Sequence, residues 1–321
     1  MALSRKTDIH IFGENDLAFL SQIAFFCKAL RRLYGRWEPI RVRCFLGGPE
    51  FNWDSAPPHV RQFRDDMEII TADAADYAAR SFYAQCDHAF LDIKDDAEVV
   101  VFADADTFWL QRPDILLETV CLNRAIAGCM AHLPSPEGRH DVKTYWEGLF
   151  AAHVGRPPRF DHTCSLVPGS ISPFYANFGM VAVDAELMRR RGRDYIDLVH
   201  AVQKTSAYPY FAYQVALTLW VARHEISAIS LPLHYNFPND DRVFNFSSIG
   251  LEDIVAFHYL RTNKFKRDRM FVDLNNFSDC VSAPGGRADA MLQRILLDIY
   301  RVPDWLSSRP RESAQAGDSS R

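Results

Sequence analysis

An α/β domain built on a mostly parallel mixed sheet flanked by helices is the fold class this sequence predicts, and three observations carry it. The run Val99-Val-Val-Phe102 is short and wholly apolar, as a strand covered on both faces must be. Residues 8–102 alternate in a β-α-β-β-α-β order, which implies crossover connections and parallel strands. The chain of 321 residues is 48% apolar, enough to cover such a sheet from both sides.

The elements follow in order. Asp8-Ile-His-Ile-Phe12 reads as the first strand, and Gly13-Glu-Asn-Asp16 as a turn whose last residue caps a helix over 17–34. Gly35 closes that helix. Ile40 to Leu46 alternates and reads as a second strand, stopped by Gly47-Gly48-Pro49. Met67 to Thr71 is the third strand and the alanine-rich stretch 74–90 the second helix. Beyond Pro113 the pattern loosens. Residues 131–173, rich in proline and glycine, read as a long excursion holding one helix near 144–152. Order returns with a strand over Gly179 to Asp184, then a strongly basic helical start at Arg189 to Arg193. A helix over 210–223 and a short strand Ile254 to Phe257 follow. The helix over 287–300 gathers Leu292, Ile295, Leu296 and Ile299 on one side. Packing against the domain is the preferred reading of that face, with peripheral membrane contact as the alternative. From Arg309 the chain is rich in Ser, Arg and Gly and reads as a disordered tail, which leaves one domain over 1–308.

Charge and cysteine content bound the function. The 36 basic residues are outnumbered by 41 acidic ones, for a net charge of -5, so no nucleic-acid partner is expected. Lys264, Lys266, Arg267 and Arg269 form a small basic cluster suited to a diphosphate rather than a polymer. The first apolar stretch, Leu17 to Leu30, is interrupted by Ser21, Gln22 and Lys28, so no secretory or transmembrane segment is expected. Seven scattered cysteines without a CxxC pair argue against zinc and for reduced thiols in a cytoplasmic protein.

The chemistry concentrates at Phe102-Ala-Asp104-Ala-Asp106-Thr107. Two carboxylates one residue apart, just past a buried strand, stand at the carboxyl edge of the sheet, where open α/β sheets bind ligands. In an extended segment Asp104 and Asp106 point to one side and can share a hard divalent cation, which in turn can hold a diphosphate. A second reading is the first motif of haloacid-dehalogenase-type phosphatases, with Asp104 as nucleophile and Asp106 as general acid/base. That family needs a later acidic pair after a strand. Asp240-Asp241 is the one candidate, and it follows a poor strand.

Four further motifs follow the acidic pair: Tyr175-Ala-Asn177-Phe-Gly179-Met-Val-Ala-Val183, Phe211-Ala-Tyr213-Gln214-Val-Ala-Leu217, Leu231-Pro232 leading to Tyr235-Asn236, and Phe257-His258-Tyr-Leu-Arg261-Thr-Asn-Lys264. From about Asp8 to Lys264 this ordered set resembles the GT-A-fold glycosyltransferases, the nucleotide-diphospho-sugar transferase fold. It is nearest the retaining family-8 group that includes glycogenin and bacterial lipopolysaccharide galactosyltransferases. The resemblance implies transfer of a sugar from a nucleoside-diphosphate sugar, UDP-linked by default, to a glycan, lipid-linked or small-molecule acceptor hydroxyl. It implies Mn²⁺ or Mg²⁺ held by Asp104, Asp106 and His258, with Asp104 also near the ribose. Lys264 and Arg261 would lie on the diphosphate, Asn177 on the donor sugar and Gln214 beneath it. A nucleotide-binding half over 1–115 and an acceptor half over 116–285 follow from the same likeness.

Three departures stand out: Tyr213 where the family has Asp, Arg261 where it has Gly, and Gln85 where it often has Arg, with Arg80 one turn earlier. They keep open a non-catalytic sugar-nucleotide-binding relative. Read without the resemblance, Asn177 is equally a strand-start cap and Gln214 a helix-surface residue. Trp146 and Phe174 are either acceptor-stacking rings or local packing. Glu137, Asp141, Glu147 and Asp161 are general-base candidates only for an inverting reaction.

Overall fold

In the computed structural model, residues 5–35, 39–48, 50–71, 73–80, 82–136, 141–164, 169–246, 249–259 and 270–300 are described. The chain opens with β1 (Thr7–Glu14), α1 (Leu17–Tyr34), β2 (Ile40–Gly47), α2 (Pro58–Arg61), β3 (Met67–Thr71), α3 (Ala74–Arg80), α4 (Phe82–Leu91), β4 (Val99–Ala103) and β5 (Thr107–Trp109). The middle carries α5 (Asp114–Asn123), β6 (Ala125–Met130), α6 (Val142–His153), β7 (His162–Thr163), β8 (Ile171–Ser172), β9 (Ala176–Asp184) and α7 (Ala185–Thr205). It ends with α8 (Ala212–Arg223), β10 (Ser227–Leu231), β11 (Phe237–Pro238), α9 (Asp241–Phe246), β12 (Ala256–His258), α10 (Leu274–Ser282) and α11 (Arg287–Tyr300).

Seven strands form the main sheet in the order β10-β6-β9-β4-β1-β2-β3. All neighbours pair in parallel except β9, which runs antiparallel to both β4 and β6. The fold is therefore the expected one, a mostly parallel mixed sheet with helices on its faces. β4 shows how five apolar residues serve two cores. Val99, Val101 and Ala103 point into one, with α1, α10 and α11; Val100 and Phe102 point into the other, with α4, α6, α7 and α8. Each of its valines and Phe102, fully buried, contributes roughly 1.5–3 kcal/mol.

Local chemistry sets the helix ends. Asp16 caps α1 by accepting from Phe19 N at 2.9 Å, and Gly35 ends it at φ 72, a left-handed value that favours glycine. The terminal helix buries Leu292, Ile295, Leu296 and Ile299 against the domain, the packed arrangement rather than a membrane-facing one. No helix among the described residues is long and apolar enough to cross a membrane. All seven cysteines are free.

Beyond Pro113 the sequence reading needs correction. That stretch is not loose: α5 leads into β6, a strand buried at all six residues and paired to β9. Arg124 ends α5 in the left-handed region at φ 47 without the glycine that usually marks such a stop. Ala-Ile-Ala-Gly-Cys-Met also lacks the β-branched run of an obvious strand. The 74–90 helix is two elements, α3 and α4, and the tail from 309 lies outside the described residues.

Candidate metal centre

β1, β2 and β4 point their carboxyl ends to one edge, and Asp104 is the first residue past β4. Asp104 and Asp106 share a side as expected, but not because the segment is extended. The chain turns there, closed by Thr107, whose N and Oγ1 both donate to Asp104 O, at 3.2 and 2.7 Å. The turn feeds β5, which pairs antiparallel with β12 so that Thr107 stands opposite His258. The ladder runs on through Tyr259 N, which donates to Asp106 O at 3.0 Å. The two carboxylates thus meet an imidazole from far along the chain.

The result is a compact trio. His258 Nε2 lies 3.1 Å from Asp106 Oδ1 and 3.6 Å from Asp104 Oδ2, and the ligand atoms of all three lie within 4.8 Å of one another. Asp106 and His258 are buried, at 7% and 4% exposure, while the Asp104 side chain keeps 32% and opens the site to solvent. One imidazole with two carboxylates is a mixed nitrogen–oxygen set that suits Mn²⁺ or Mg²⁺, with coordination positions left for phosphate oxygens.

A polar chain lies behind the histidine. Its Nδ1 is 2.9 Å from Asn236 Oδ1, and Asn236 Nδ2 donates to Asn177 Oδ1 at 2.7 Å. Asn177 Oδ1 also accepts from Gly179 N at 2.9 Å. The antiparallel register, with Phe102 opposite Val181, brings the start of β9, and with it Asn177 and Gly179, to the edge that carries Asp104. Asn236 ends the turn Leu233–Tyr235 and leads into β11, the parallel neighbour of β12.

The remaining expected residues are distributed as follows. Gln214 stands in the first turn of α8, half-buried and beside Tyr213. Tyr213 is buried, and its hydroxyl donates to Asp87 Oδ1 at 2.6 Å, so a carboxylate from α4 meets the tyrosine that stands where the sequence resemblance leads one to expect aspartate. His200 holds the other Asp87 oxygen at 2.7 Å. Asp87 escaped the sequence reading; it is the single acidic residue of α4. Gln85 is wholly buried, with Nε2 3.4 Å from Gly13 O. Arg261 and Lys264, with the rest of the basic cluster, lie outside the described residues, as does Glu137.

Other candidates are taken up by structural roles. Trp146 is wholly buried and donates to Pro134 O at 2.8 Å, and Phe174 is buried as well, so neither is a platform for an acceptor. Asp141 caps α6, with Thr144 Oγ1 donating to its Oδ2 at 2.6 Å, and that bond holds its carboxyl below the usual range. Glu147 faces Lys143 at 3.8 Å and Asp161 faces His162 at 3.4 Å. Asp240 pairs with Arg242 at 2.7 Å and Asp241 accepts from Ala288 N at 2.8 Å, so the second acidic pair of a phosphatase is engaged in holding α9 and α11.

No protein-family model matches the chain, and no curated protein matches it in sequence. Solved structures do match. The galactosyltransferase LgtC, in complex with donor and acceptor sugar analogues, matches at a TM-score of 0.55 and 14% identity, over 92% of this chain and 98% of that one. An active-site mutant of LgtC matches at 0.50 and 13% identity, over 79% and 87% of the two chains. The apo form of the glycosyltransferase GlyE from Streptococcus pneumoniae TIGR4 matches at 0.54 and 15% identity, over 94% of this chain. The match spans 61% of GlyE, the longer protein. The shared architecture is the GT-A fold.

Proposed function

We propose that this chain is a metal-dependent glycosyltransferase that moves a sugar from a nucleoside-diphosphate sugar, UDP-linked in the first instance, to an acceptor hydroxyl with retention of configuration. The observation that carries the reading is the convergence of Asp104, Asp106 and His258 at the carboxyl edge of a GT-A sheet. Asp106 and His258 hold the cation directly, and Asp104 adds a ligand and faces the ribose. When bound, the cation offsets the negative charge that develops on the departing diphosphate. Lys264 and Arg261, named from the sequence resemblance, add positive charge there. Gln214 lies beneath the donor sugar, and Asn177 presents its Nδ2 to it, since both lone pairs of its Oδ1 are engaged. Residues 1–115 bind the nucleotide and 116–285 shape the sugar and acceptor side.

Calorimetric titration with UDP and with GDP, with and without Mn²⁺, tests this on wild type and Asp106→Ala. Manganese-dependent nucleotide binding that disappears in the variant is the expected result, with a turnover loss on the order of 10²–10³. Failure of both nucleotides to bind under every metal condition would sink the proposal.

A further inference from the structure

We infer that Asn177, Gly179 and Asn236 form a positioning relay that fixes the tautomer of His258 and aims its Nε2 at the cation site. The inference rests on the reading of Asp104, Asp106 and His258 as that site, and it assigns the three residues a task distinct from touching donor or acceptor.

The relay starts from a group whose polarity is beyond choice. The Gly179 backbone N–H can only donate, so the Asn177 atom that meets it at 2.9 Å is the acceptor Oδ1. The Asn236 atom 2.7 Å from that oxygen must then be its donor, Nδ2. Turning Nδ2 that way leaves Asn236 Oδ1 to face His258 Nδ1 at 2.9 Å, and an amide oxygen can only accept. Nδ1 therefore carries the proton. In the neutral ring the lone pair then sits on Nε2, the nitrogen 3.1 Å from Asp106 and 3.6 Å from Asp104. Three electron-pair donors so close together require a cation or a proton among them. A ligating histidine anchored through its other nitrogen is a recurrent way to set ring orientation and basicity.

Gly179 has a second part in the relay. A Cβ at this position would lie 2.2 Å from Asn236 Oδ1 and 2.5 Å from His258 Nδ1, inside the space of the hydrogen bond between them. Asn236 and His258 are each buried, at 4% exposure, so neither can swing away into solvent. The glycine is needed as room for that bond, at a φ that other residues also adopt. Asn236 belongs to the Tyr-Asn motif that the sequence singles out without a role, and the relay supplies one.

The test uses the full chain with histidine labelled in ¹⁵N. His258 is assigned by comparison with His258→Asn, and its tautomer is read by nitrogen NMR in alkaline, metal-free buffer. Affinity for Mn²⁺ alone is read by electron paramagnetic resonance. In wild type the proton is expected on Nδ1. Asn236→Ala and Gly179→Ala should each shift population to the Nε2–H form and weaken Mn²⁺ binding about 10–100-fold. Asn236→Asp, which keeps an acceptor oxygen, should retain the Nδ1–H signature.

A wild-type ring protonated on Nε2 alone would overturn the relay. So would a folded Asn236→Ala protein whose tautomer and Mn²⁺ affinity match wild type. Should Gly179→Ala fail to fold, the Asn236 pair decides the matter by itself. Should wild type bind no Mn²⁺, the cation reading falls, while the tautomer still reports on the relay.

Discussion

His10 and His59 are buried where a positive charge has no place, and this makes the fold sensitive to acid. Burial pulls His10 down to about 3 from 6.5; its Nδ1 lies 2.6 Å from Ala89 O, and its Nε2 faces the Arg43 guanidinium at 3.5 Å. Burial likewise takes His59 down to about 4, where its Nε2 meets Ser21 Oγ at 2.8 Å. Both folded values are depressed, so unfolding takes up protons as the pH falls below 6.5. Their stabilisation is complete above that pH and is lost on the way down, with His59 finishing near 4 and His10 near 3. His153, His162 and His234, lowered by partial burial, add to the same trend. Between pH 6.5 and about 5, His10 and His59 by themselves should remove about 1.4 kcal/mol or more of urea-unfolding stability per pH unit, offset in part by Asp8 and Asp184, whose carboxyls burial raises. His59→Gln should flatten the slope by about one proton, and an unchanged slope would refute the assignment. At this scale Asp104 and Asp106 were legible from two carboxylates placed just past a buried strand, and His258 through the motif resemblance that also named it. Asp87 and the relay through Asn236 were not, since a buried polar side chain shows its partner only after the chain has folded.

Single strands illustrate the same limit. β4 announced itself because burial on both faces demands unbroken apolar sequence. β6 meets the same demand with small residues, and its closeness to β9 shows why. A Cβ on Gly128 would lie 2.9 Å from Ala176 Cβ and 3.3 Å from Val181 Cγ2, so the strands pack side chain against bare backbone there. Gly128→Val should therefore destabilise the protein by about 1–3 kcal/mol. Because β9 carries Asn177 and Gly179, the substitution should also weaken Mn²⁺ binding, which a purely remote packing defect would leave alone. Chemical denaturation and metal titration of one variant separate the two effects. The helices divide in the same way. Capping by Asp16 and closure by Gly35 made α1 readable to the residue, whereas α5 ends at a left-handed Arg124 that carries no such signal.

For the molecule as a whole, the proposed donor site, assembled from distant segments, couples ligand to global stability. A nucleotide and cation that bind the folded chain alone, at a hundredfold excess over Kd, add about 2.7 kcal/mol. UDP with Mn²⁺ should then raise the melting temperature by several degrees, with a much smaller shift from either alone. Equal shifts with and without Mn²⁺ would show that the nucleotide binds independently of the cation. The periodicity and residue types of the sequence were sufficient for the α/β class, the first four strands along the chain and the acidic pair at the carboxyl edge of the sheet, while His258 was named through the family resemblance. These are properties of short segments, each of which must match its burial by its own composition. Tertiary structure alone revealed why two carboxylates in a turn converge on a histidine from another strand. It alone revealed that Tyr213 draws a carboxylate from Asp87, that Trp146 is core, and that Gly179 leaves room for a hydrogen bond. Each of those facts is a distance between segments far apart in the chain, and such distances exist only once strand pairing and packing have set them.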